Sequence, residues 1–316
     1  MGKQNPREVY GRTLVQMGRE NPDIVVLEAD LGKSTMSCYF EESFPGRFFE
    51  MGIAEANMTS FAAGLSLAGK IPFTNSFAVF AAGRAYDQIR QGIAIAGLNV
   101  KIVGSSAGLS DYGDGSTHQA VEDIAIMRAI PNMTVLVPAD GNETRKMTRA
   151  MASATGPMYM RLNRDDLPDI TPAEGIYEIG PPQLLRDGRD AVVFACGMMA
   201  SLALEAAGTL AARGVSLRVV NVSTLKPAED EAIRRFAAGM RAIVTAEEHS
   251  LIGGLGNVAA EAMKGMAIPM AGVGIADRFG QSAWSYDELL NAYGLTAGHI
   301  EAAVIDCLGR RSRAEE

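Results

Sequence analysis

The 316-residue sequence has few cysteines, no long apolar run and fewer basic than acidic residues. Its three cysteines, Cys38, Cys196 and Cys307, are an odd number, lie far apart and form no CxxC pair. This pattern favours neither a disulfide framework nor a zinc site. We therefore expect the protein to reside in a reducing compartment, the cytoplasm.

Neither a membrane nor nucleic acid is expected as a partner. The N-terminus has no apolar segment typical of signal peptides, and the most apolar stretch, residues 191–204, is too short to span a bilayer. Asp and Glu number 37 against 29 Lys and Arg, which gives a formal net charge of −8. A charge of this sign repels a nucleic-acid backbone.

The sequence does have the pattern of a two-domain α/β protein. Apolar residues make up 47% and charged residues 21%, and this length suffices for about two domains. Short β-branched runs alternate with segments of helical period, which predicts crossover units on a mostly parallel sheet. The predicted strands are Ile24–Leu27, Val100–Val103, Thr134–Val137, Pro157–Arg161, Val192–Ala195, Leu217–Val222 and Ala242–Thr245.

A connection between two domains is predicted just after the middle of the chain. Residues 164–182 contain four prolines, several acidic residues and no helical period, as is typical of an exposed linker. We therefore place the first domain at residues 1–165, the linker at 166–182 and the second domain at 183–316.

Residues 48–69 place an acidic side chain at the start of an amphipathic helix. Glu55 lies three residues before a predicted buried stripe, so it heads the buried face, where its pKa would rise unless a partner balances its charge. An exposed glutamate that complements the helix dipole is the alternative. The residues of the stripe are Met58, Phe61, Ala62 and Leu65.

Two phenylalanines and a polar loop are further candidates. Phe77 and Phe80 are three residues apart near a predicted helix start, and on spacing alone a role in the core is favoured. The loop 105–123 is rich in Gly, Ser and Asp and contains His118, which we expect directly before a helix. Structural roles are expected for the other two histidines, His249 and His299.

Two glycine-rich motifs carry weaker signals. Gly113–Gly115 and Asn142 superficially match a GDG…N metal–diphosphate motif, but a polar loop rather than an apolar strand precedes the GDG. Asn142 lies instead in Asp140–Glu143, which predicts a helix capping box. We therefore predict no metal site. The GGLG turn at Gly253–Gly256 is a weak candidate for binding phosphate.

Several segments together resemble one family in their order and spacing. The sequence is similar to the C-terminal section of transketolases over essentially its whole length. Residues 1–165 resemble the pyrimidine-binding domain, and residues 183–316, with EEHSLIGGLG and GIADRFGQSAW, resemble the transketolase C-terminal domain. The motifs of the first domain are GIAEANM (52–58), RAYDQIR (84–90), GDGSTHQAVED (113–123), PNMTVLVPAD (131–140) and MYMRLNRDDLP (158–168).

The resemblance implies one subunit of a split transketolase. A full transketolase has an additional N-terminal domain that holds the diphosphate of thiamine diphosphate and its Mg²⁺, and these 316 residues contain no counterpart of it. We expect an α2β2 heterotetramer with an N-terminal-section subunit, and no activity from this chain alone. The implied reaction transfers a two-carbon ketol unit from a ketose phosphate to an aldose.

The resemblance also implies which residues contact the cofactor. Glu55 matches the glutamate that hydrogen-bonds the aminopyrimidine nitrogen of thiamine diphosphate, where a carboxyl group favours the tautomer that removes the thiazolium proton. Phe77 and Phe80 match aromatic residues that lie against the pyrimidine. Asp30, in EADLGKS, matches an aspartate near the cofactor.

On the substrate side, His118 and Asp114 match residues that contact the first hydroxyls of the sugar. Arg7 and Arg164 match arginines that hold the sugar phosphate, for which a planar guanidinium is well suited. Ser106 stands where many transketolases have a second histidine, twelve residues before His118. We therefore expect a reshaped acceptor end of the site.

Three alternatives share parts of this pattern. Deoxyxylulose-phosphate synthases have similar GIAE and RAYDQ motifs, but the STHQAVED segment favours a transketolase. The β subunit of a 2-oxoacid dehydrogenase has the same domain order, with a different histidine loop expected. A non-catalytic scaffold subunit would not need the retained polar residues Glu55, Asp114, His118, Arg7 and Arg164.

Overall fold

The computed structural model describes residues 2–315, with side chains described up to residue 310. It has a seven-stranded sheet and a five-stranded sheet, both flanked by helices, and a two-stranded sheet. The strands are β1 (Lys3–Gln4), β2 (Ile24–Glu28), β3 (Phe48–Glu50), β4 (Ile71–Phe77), β5 (Lys101–Ser105), β6 (Thr134–Leu136), β7 (Met158–Arg161), β8 (Leu167–Pro168), β9 (Gln183–Arg186), β10 (Ala191–Ala195), β11 (Leu217–Asn221), β12 (Thr224–Lys226), β13 (Ala242–Ser250) and β14 (Met270–Ile275).

Helices connect most of these strands, so the α/β fold class predicted from the sequence is confirmed. Two 3₁₀ turns (Pro45–Arg47 and Gly115–Thr117) and two π-helical segments (Phe80–Arg84 and Ile89–Ala94) interrupt the α-helical pattern. The α-helices are α1 (Pro6–Glu20), α2 (Gly32–Thr35), α3 (Cys38–Ser43), α4 (Glu55–Leu67), α5 (Tyr86–Gln88), α6 (Asp123–Ala129), α7 (Gly141–Ser153), α8 (Met199–Ala212), α9 (Asp230–Ala237), α10 (Leu255–Ala262), α11 (Tyr286–Ala292) and α12 (Ala297–Glu315).

The strand order of the large sheet is β12-β6-β7-β5-β4-β2-β3, and all its pairs are parallel except β12 with β6. The five-stranded sheet has the order β14-β13-β10-β11-β9 and is parallel except for β9. All seven strands predicted from the sequence are present. In the sequence, β12 follows β11, a strand of the five-stranded sheet. In the structure, however, β12 pairs with β6 at the edge of the seven-stranded sheet.

The capping box predicted at the start of α7 is confirmed. Asp140 Oδ1 accepts from the backbone N–H of Glu143 at 2.8 Å, and Glu143 Oε2 accepts from the N–H of Ala139 at 2.7 Å. Asp140 therefore satisfies a backbone donor that the helix leaves unpaired, and Glu143 reaches back to the residue before the N-cap. Asn142 lies in the first turn of this helix and donates to the carbonyl of Thr171.

The predicted buried stripe on α4 is only partly right. Met58 and Ala62 are buried, but Phe61 is 43% exposed and Leu65 is half-buried. The buried face is shifted by one residue and includes Thr59 and Ala63. Phe61 instead contacts the Phe49 ring at the protein surface, with 5.5 Å between the ring centroids.

One of two other local predictions is corrected by the structure. Phe77 is the last residue of β4, helical structure begins at Ala78 and Phe80 begins a π-helical segment, so the two phenylalanines lie near a helix start as predicted. His118 does not directly precede a helix, because it ends the 3₁₀ turn at Gly115–Thr117 and α6 begins only at Asp123. His118 is therefore separated from the N-terminus of α6 by four residues.

No helix within residues 2–315 combines the length and apolarity that crossing a membrane requires.

Candidate functional site

Five of the candidate residues follow five strands of the large sheet. Asp30 comes after β2, Glu55 after β3, Phe77 ends β4, Ser106 follows β5 and Arg164 follows β7. These strands run parallel, so their carboxyl ends share one edge of the sheet. In open α/β sheets this edge is where ligands bind.

Glu55 is a buried carboxylate with one charged partner. It is the first residue of α4 and only 3% exposed, which confirms the predicted position on the buried face. Arg84 Nη1 donates to Glu55 Oε1 at 3.0 Å. The guanidinium balances the buried charge and leaves Oε2 without a hydrogen-bond donor among the described residues.

Arg84 also links Glu55 to the aromatic side chains. It is the last residue of the π-helical segment that Phe80 begins, so the two residues lie four positions apart along one short segment. The Arg84 guanidinium lies 4.1 Å from the Phe80 ring centroid, a cation–π contact. π-Helical turns are frequent at functional sites.

Three rings form the middle of the site. Phe77 and Phe80 are nearly parallel, with centroids 6.2 Å apart and an interplanar angle of 18°. The imidazole of His118 meets both edge-on, at 5.2 Å from Phe80 and 6.2 Å from Phe77. Phe77 is buried, while Phe80 and His118 are half-buried, so a ligand can reach the latter two.

Arg164 lies at the other end of this ring cluster. Its guanidinium is 5.8 Å from the Phe77 ring centroid. Arg164 Nη1 donates to Asp111 Oδ2 at 2.9 Å and lies 3.5 Å from Ser106 Oγ. Asp111 is 3% exposed; burial raises the pKa of its carboxyl group, and the positive charge of Arg164 opposes this rise.

Arg7 lies beside Arg164 and is almost fully buried. Its Nη1 donates to the carbonyl of Ser34 at 2.8 Å and its Nη2 to the carbonyl of Arg164 at 2.9 Å. Burial and the charge of Arg164 lower the pKa of Arg7 to about 10, so it remains cationic at neutral pH. Its buried Nε has no hydrogen-bond partner within the described structure.

The structure therefore brings seven of the nine predicted site residues into one continuous series of contacts. The remaining two, Asp30 and Asp114, lie outside it. Both are exposed, and neither side chain forms a hydrogen bond within residues 2–315. The negative charge of Asp114 nevertheless acts on Asp111. The contact series consists of Glu55, Phe80, His118, Phe77, Arg164, Ser106 and Arg7, with Arg84 between Glu55 and Phe80.

Sequence reasoning missed Arg84 and Asp111. Arg84 lies in the RAYDQIR motif, and a buried Glu55 requires a cationic partner nearby, but the sequence does not show which basic residue that is. Asp111 lies in the polar loop between Ser106 and His118, but no local pattern distinguishes it from Asp114. Its role depends on contact with Arg164, 53 residues away in the sequence.

The GGLG turn does not form a free phosphate cradle. Glu247 Oε2 accepts from the N–H of Leu255 at 2.6 Å and Oε1 from the N–H of Gly256 at 2.8 Å. The carboxylate thus occupies the start of α10, where a phosphate would have to bind. In the described part of the chain, no group of three or more His, Cys, Asp or Glu could hold a metal ion.

Two family models match the chain. The pyrimidine-binding domain of transketolase matches residues 3–169, and the transketolase C-terminal domain matches residues 180–300. Together they cover most of both sheets, including the edge of the large sheet that carries the contact series.

Similar proteins also match nearly end to end. A transketolase C-terminal section of Methanocaldococcus jannaschii is 43% identical over 95% of this chain and 95% of that protein. A 6-deoxy-6-sulfo-D-fructose transketolase subunit of Clostridium sp. MSTE9 is 41% identical over 97% of this chain and 95% of that protein. A solved split-gene transketolase, described as an inactive β4 tetramer, has a TM-score of 0.88 and 46% identity, covering 98% of this chain and 99% of that one.

Proposed function

Because the chain belongs to the transketolase family, as the C-terminal subunit of a split transketolase, we propose that it acts in thiamine diphosphate-dependent ketol transfer. In this reaction a two-carbon unit passes from a ketose to an aldose acceptor. The proposal rests on one observation above all, the unbroken series of contacts from Glu55 to Arg7. It spans an acidic end, an aromatic middle and a cationic end.

The acidic and aromatic parts fit the pyrimidine half of thiamine diphosphate. Glu55 offers a buried carboxylate oxygen that no described donor occupies, as a ring nitrogen would require. The half-buried Phe80 ring provides an apolar surface for the flat pyrimidine, with Phe77 behind it. When bound, thiamine diphosphate supplies the nucleophilic carbon that carries the two-carbon unit.

The roles of the protein's own residues follow from these positions. Glu55 would hold a proton at the pyrimidine nitrogen, with Arg84 fixing the orientation of its carboxyl group. His118 would bind the first hydroxyls of the sugar, together with Asp114 on the same loop. Arg7 and Arg164 would bind the far end of the sugar, and Asp30 would lie near the cofactor.

We propose that an N-terminal-section subunit supplies the other half of the site. That subunit would hold the diphosphate and Mg²⁺, and the assembly would be an α2β2 heterotetramer. Exposed apolar side chains on or beside α4 and the Ile89–Ala94 segment support such an interface. They are Ile53 (72% exposed), Leu67 (76%) and Ile95 (65%).

The proposal is tested by measuring ketol transfer in this chain, in the N-terminal-section subunit of the same organism and in their mixture. Each sample receives thiamine diphosphate and Mg²⁺, with xylulose 5-phosphate as donor and ribose or ribose 5-phosphate as acceptor. We expect turnover only in the mixture. Turnover by this chain alone would contradict the two-subunit site. Release of carbon dioxide from pyruvate and glyceraldehyde 3-phosphate instead would indicate synthase chemistry.

A further inference from the structure

The cationic end of the site contains a buried negative charge. Asp111 is 3% exposed and forms an ion pair with Arg164, with 2.9 Å between Oδ2 and Nη1. The pair engages Nη1 of the guanidinium that the family resemblance assigns to the sugar phosphate, and the same nitrogen lies 3.5 Å from Ser106 Oγ. Since an arginine binds phosphate best with two free donors, the partner competes directly with the ligand.

The charges around this end can be counted from the described side chains. Arg7 and Arg164 contribute two positive charges, and Asp111 cancels one of them. Asp114 adds a further, exposed negative charge that acts on Asp111. Two of the Arg7 donors are already bound to backbone carbonyls. These four side chains therefore offer at most one net positive charge to the end of a sugar.

Ser106, which lies next to Arg164, is uncharged and so leaves this net charge unchanged. It lies 3.5 Å from Arg164 Nη1 and contributes a hydroxyl group at the position where many transketolases have a second histidine. Its backbone is in the left-handed region, with φ of +54°, and its side chain is fully buried. Ser106 thus adds no positive charge to offset the one that Asp111 removes, and besides the two arginines the imidazole of His118 is the basic side chain that acts on Asp111.

From these contacts we propose that Asp111 is a specificity-determining residue, which selects sugars whose far end carries at most one negative charge over sugars that end in a phosphate dianion. The inference rests on the proposed function, because it concerns the sugar end of the same site. A phosphate dianion would have to displace Asp111 from Arg164 or bind beside its carboxylate, and both cost binding free energy. A neutral hydroxyl end, or a singly charged end, avoids this repulsion.

The first arm of the test compares acceptors in the mixture with the N-terminal-section subunit. We expect the wild-type kcat/KM for ribose to equal or exceed that for ribose 5-phosphate. Asp111→Asn keeps the side-chain shape and a hydrogen-bonding oxygen but removes the charge. We expect it to raise the ratio of the two kcat/KM values at least tenfold, through a lower KM for ribose 5-phosphate.

The second arm measures binding and does not depend on turnover. Ribose 5-phosphate is titrated calorimetrically into the full chain at pH 8, where its phosphate is a dianion. We expect Asp111→Asn to bind it at least ten times more tightly than the wild type. If the mixture transfers no ketol unit with any acceptor, the proposed function fails, while this arm still decides the role of Asp111.

Asp187→Asn is the matched control, since it breaks a comparable Asp–Arg pair, with Arg218, at an exposed site (2.8 Å). It should leave both the acceptor ratio and the calorimetric affinity within twofold of the wild type. A purely structural Asp111 would give the opposite result, because loss of the ion pair would loosen Arg164. Unchanged or weaker ribose 5-phosphate binding by a folded Asp111→Asn chain would overturn the proposal.

Discussion

Glu55 is the residue of the proposed site to which we assign proton transfer to the cofactor. A buried carboxylate without a partner costs several kcal/mol, and Arg84 provides that partner at 3.0 Å while leaving one oxygen open. The glutamate is therefore compatible with folding and still available to a ligand. This combination is typical of functional carboxyl groups rather than of purely structural ion pairs.

Substitution of Glu55 by Gln tests its role as an acid. The amide keeps the size and one acceptor oxygen for Arg84 but cannot share a proton with a ring nitrogen. We expect kcat for ketol transfer in the mixture to fall by about 100-fold or more, with assembly measured by size-exclusion chromatography unchanged.

Glu20→Gln is the control for this substitution. Glu20 also pairs with an arginine, Arg149, at 2.8 Å, but on the protein surface. Its replacement should leave kcat within twofold of the wild type. A Glu55→Gln enzyme with wild-type kcat, or an equal loss of activity in both variants, would contradict the assignment.

Glu28 is another buried carboxyl group, outside the contact series. It accepts from Ser37 Oγ at 2.5 Å, Thr35 Oγ1 at 2.6 Å and the N–H of Ala29 at 3.0 Å. Burial raises the pKa of Glu28 to about 7, although these hydrogen bonds oppose the rise. A carboxyl group with a raised folded-state pKa contributes stability below its unfolded pKa, and that contribution is lost as the pH rises toward 7.

Glu28→Gln should therefore make the stability less dependent on pH. We expect the wild-type free energy of unfolding to fall between pH 5 and pH 8, and the fall to be smaller in Glu28→Gln by up to about 3 kcal/mol. Urea denaturation at both pH values measures the difference. Identical pH dependence in the two proteins would show that Glu28 titrates normally in the folded state.

At the scale of single elements, the N-terminus of α10 is capped by a side chain from the preceding strand. The carboxylate of Glu247 accepts from the first two N–H groups of α10, and Gly254 allows its close approach. A Cβ on Gly254 would lie only 1.8 Å from Glu247 Oε2. The glycines of GGLG therefore serve packing around this carboxylate.

Removal of the Glu247 side chain should destabilise the protein markedly. Glu247→Ala leaves two N–H groups without their acceptor, and we expect a loss of about 2–3 kcal/mol in the free energy of unfolding. Glu261→Ala, at the exposed end of the same helix, removes only a long ion pair to Arg128 (3.9 Å) and should cost less than about 1 kcal/mol. Equal losses in urea denaturation would show that the capping contacts contribute little.

The strands were predictable where burial on both faces gave continuous apolar runs, as in β2 and β10. Strand β4 was not predicted, because its Thr74, Asn75 and Ser76 are polar yet buried. Asn75 is satisfied by Tyr10 and by the carbonyl of Leu27, partners far away in the sequence. Strand β12 has only three residues and pairs with β6 across the predicted domain boundary, so no local pattern reveals it.

The difference between local patterns and contacts of distant residues also explains which parts of the site were predictable from the sequence. The motifs containing Glu55 and His118 were recognisable because they are contiguous, and the fold then placed them together. The pairs Arg84–Glu55 and Arg164–Asp111 join residues 29 and 53 positions apart. Such pairs depend on tertiary geometry, which a single sequence does not contain.

At the scale of the whole molecule, the second half of the chain supports the loop that carries Asp111 and His118. Glu248 Oε1 accepts from the N–H of Leu109 at 2.7 Å, and Gln119 donates to the carbonyl of Gln281 at 3.1 Å. Arg161 also links the two halves of the chain, because its guanidinium donates to Asp123 in the first half and to the carbonyl of Glu248 in the second. The C-terminal half thus positions the loop at one end of the proposed site without supplying residues to the contact series.

The central claim is that this chain holds only the pyrimidine half of a shared cofactor site. Its most direct test is calorimetric titration of thiamine diphosphate with Mg²⁺ into the chain, into the N-terminal-section subunit and into their equimolar mixture. We predict saturable binding in the mixture, with one cofactor per pair of subunits, and binding at least tenfold weaker to either subunit alone. Binding to this chain alone as tight as to the mixture, or no binding to the mixture, would contradict the claim.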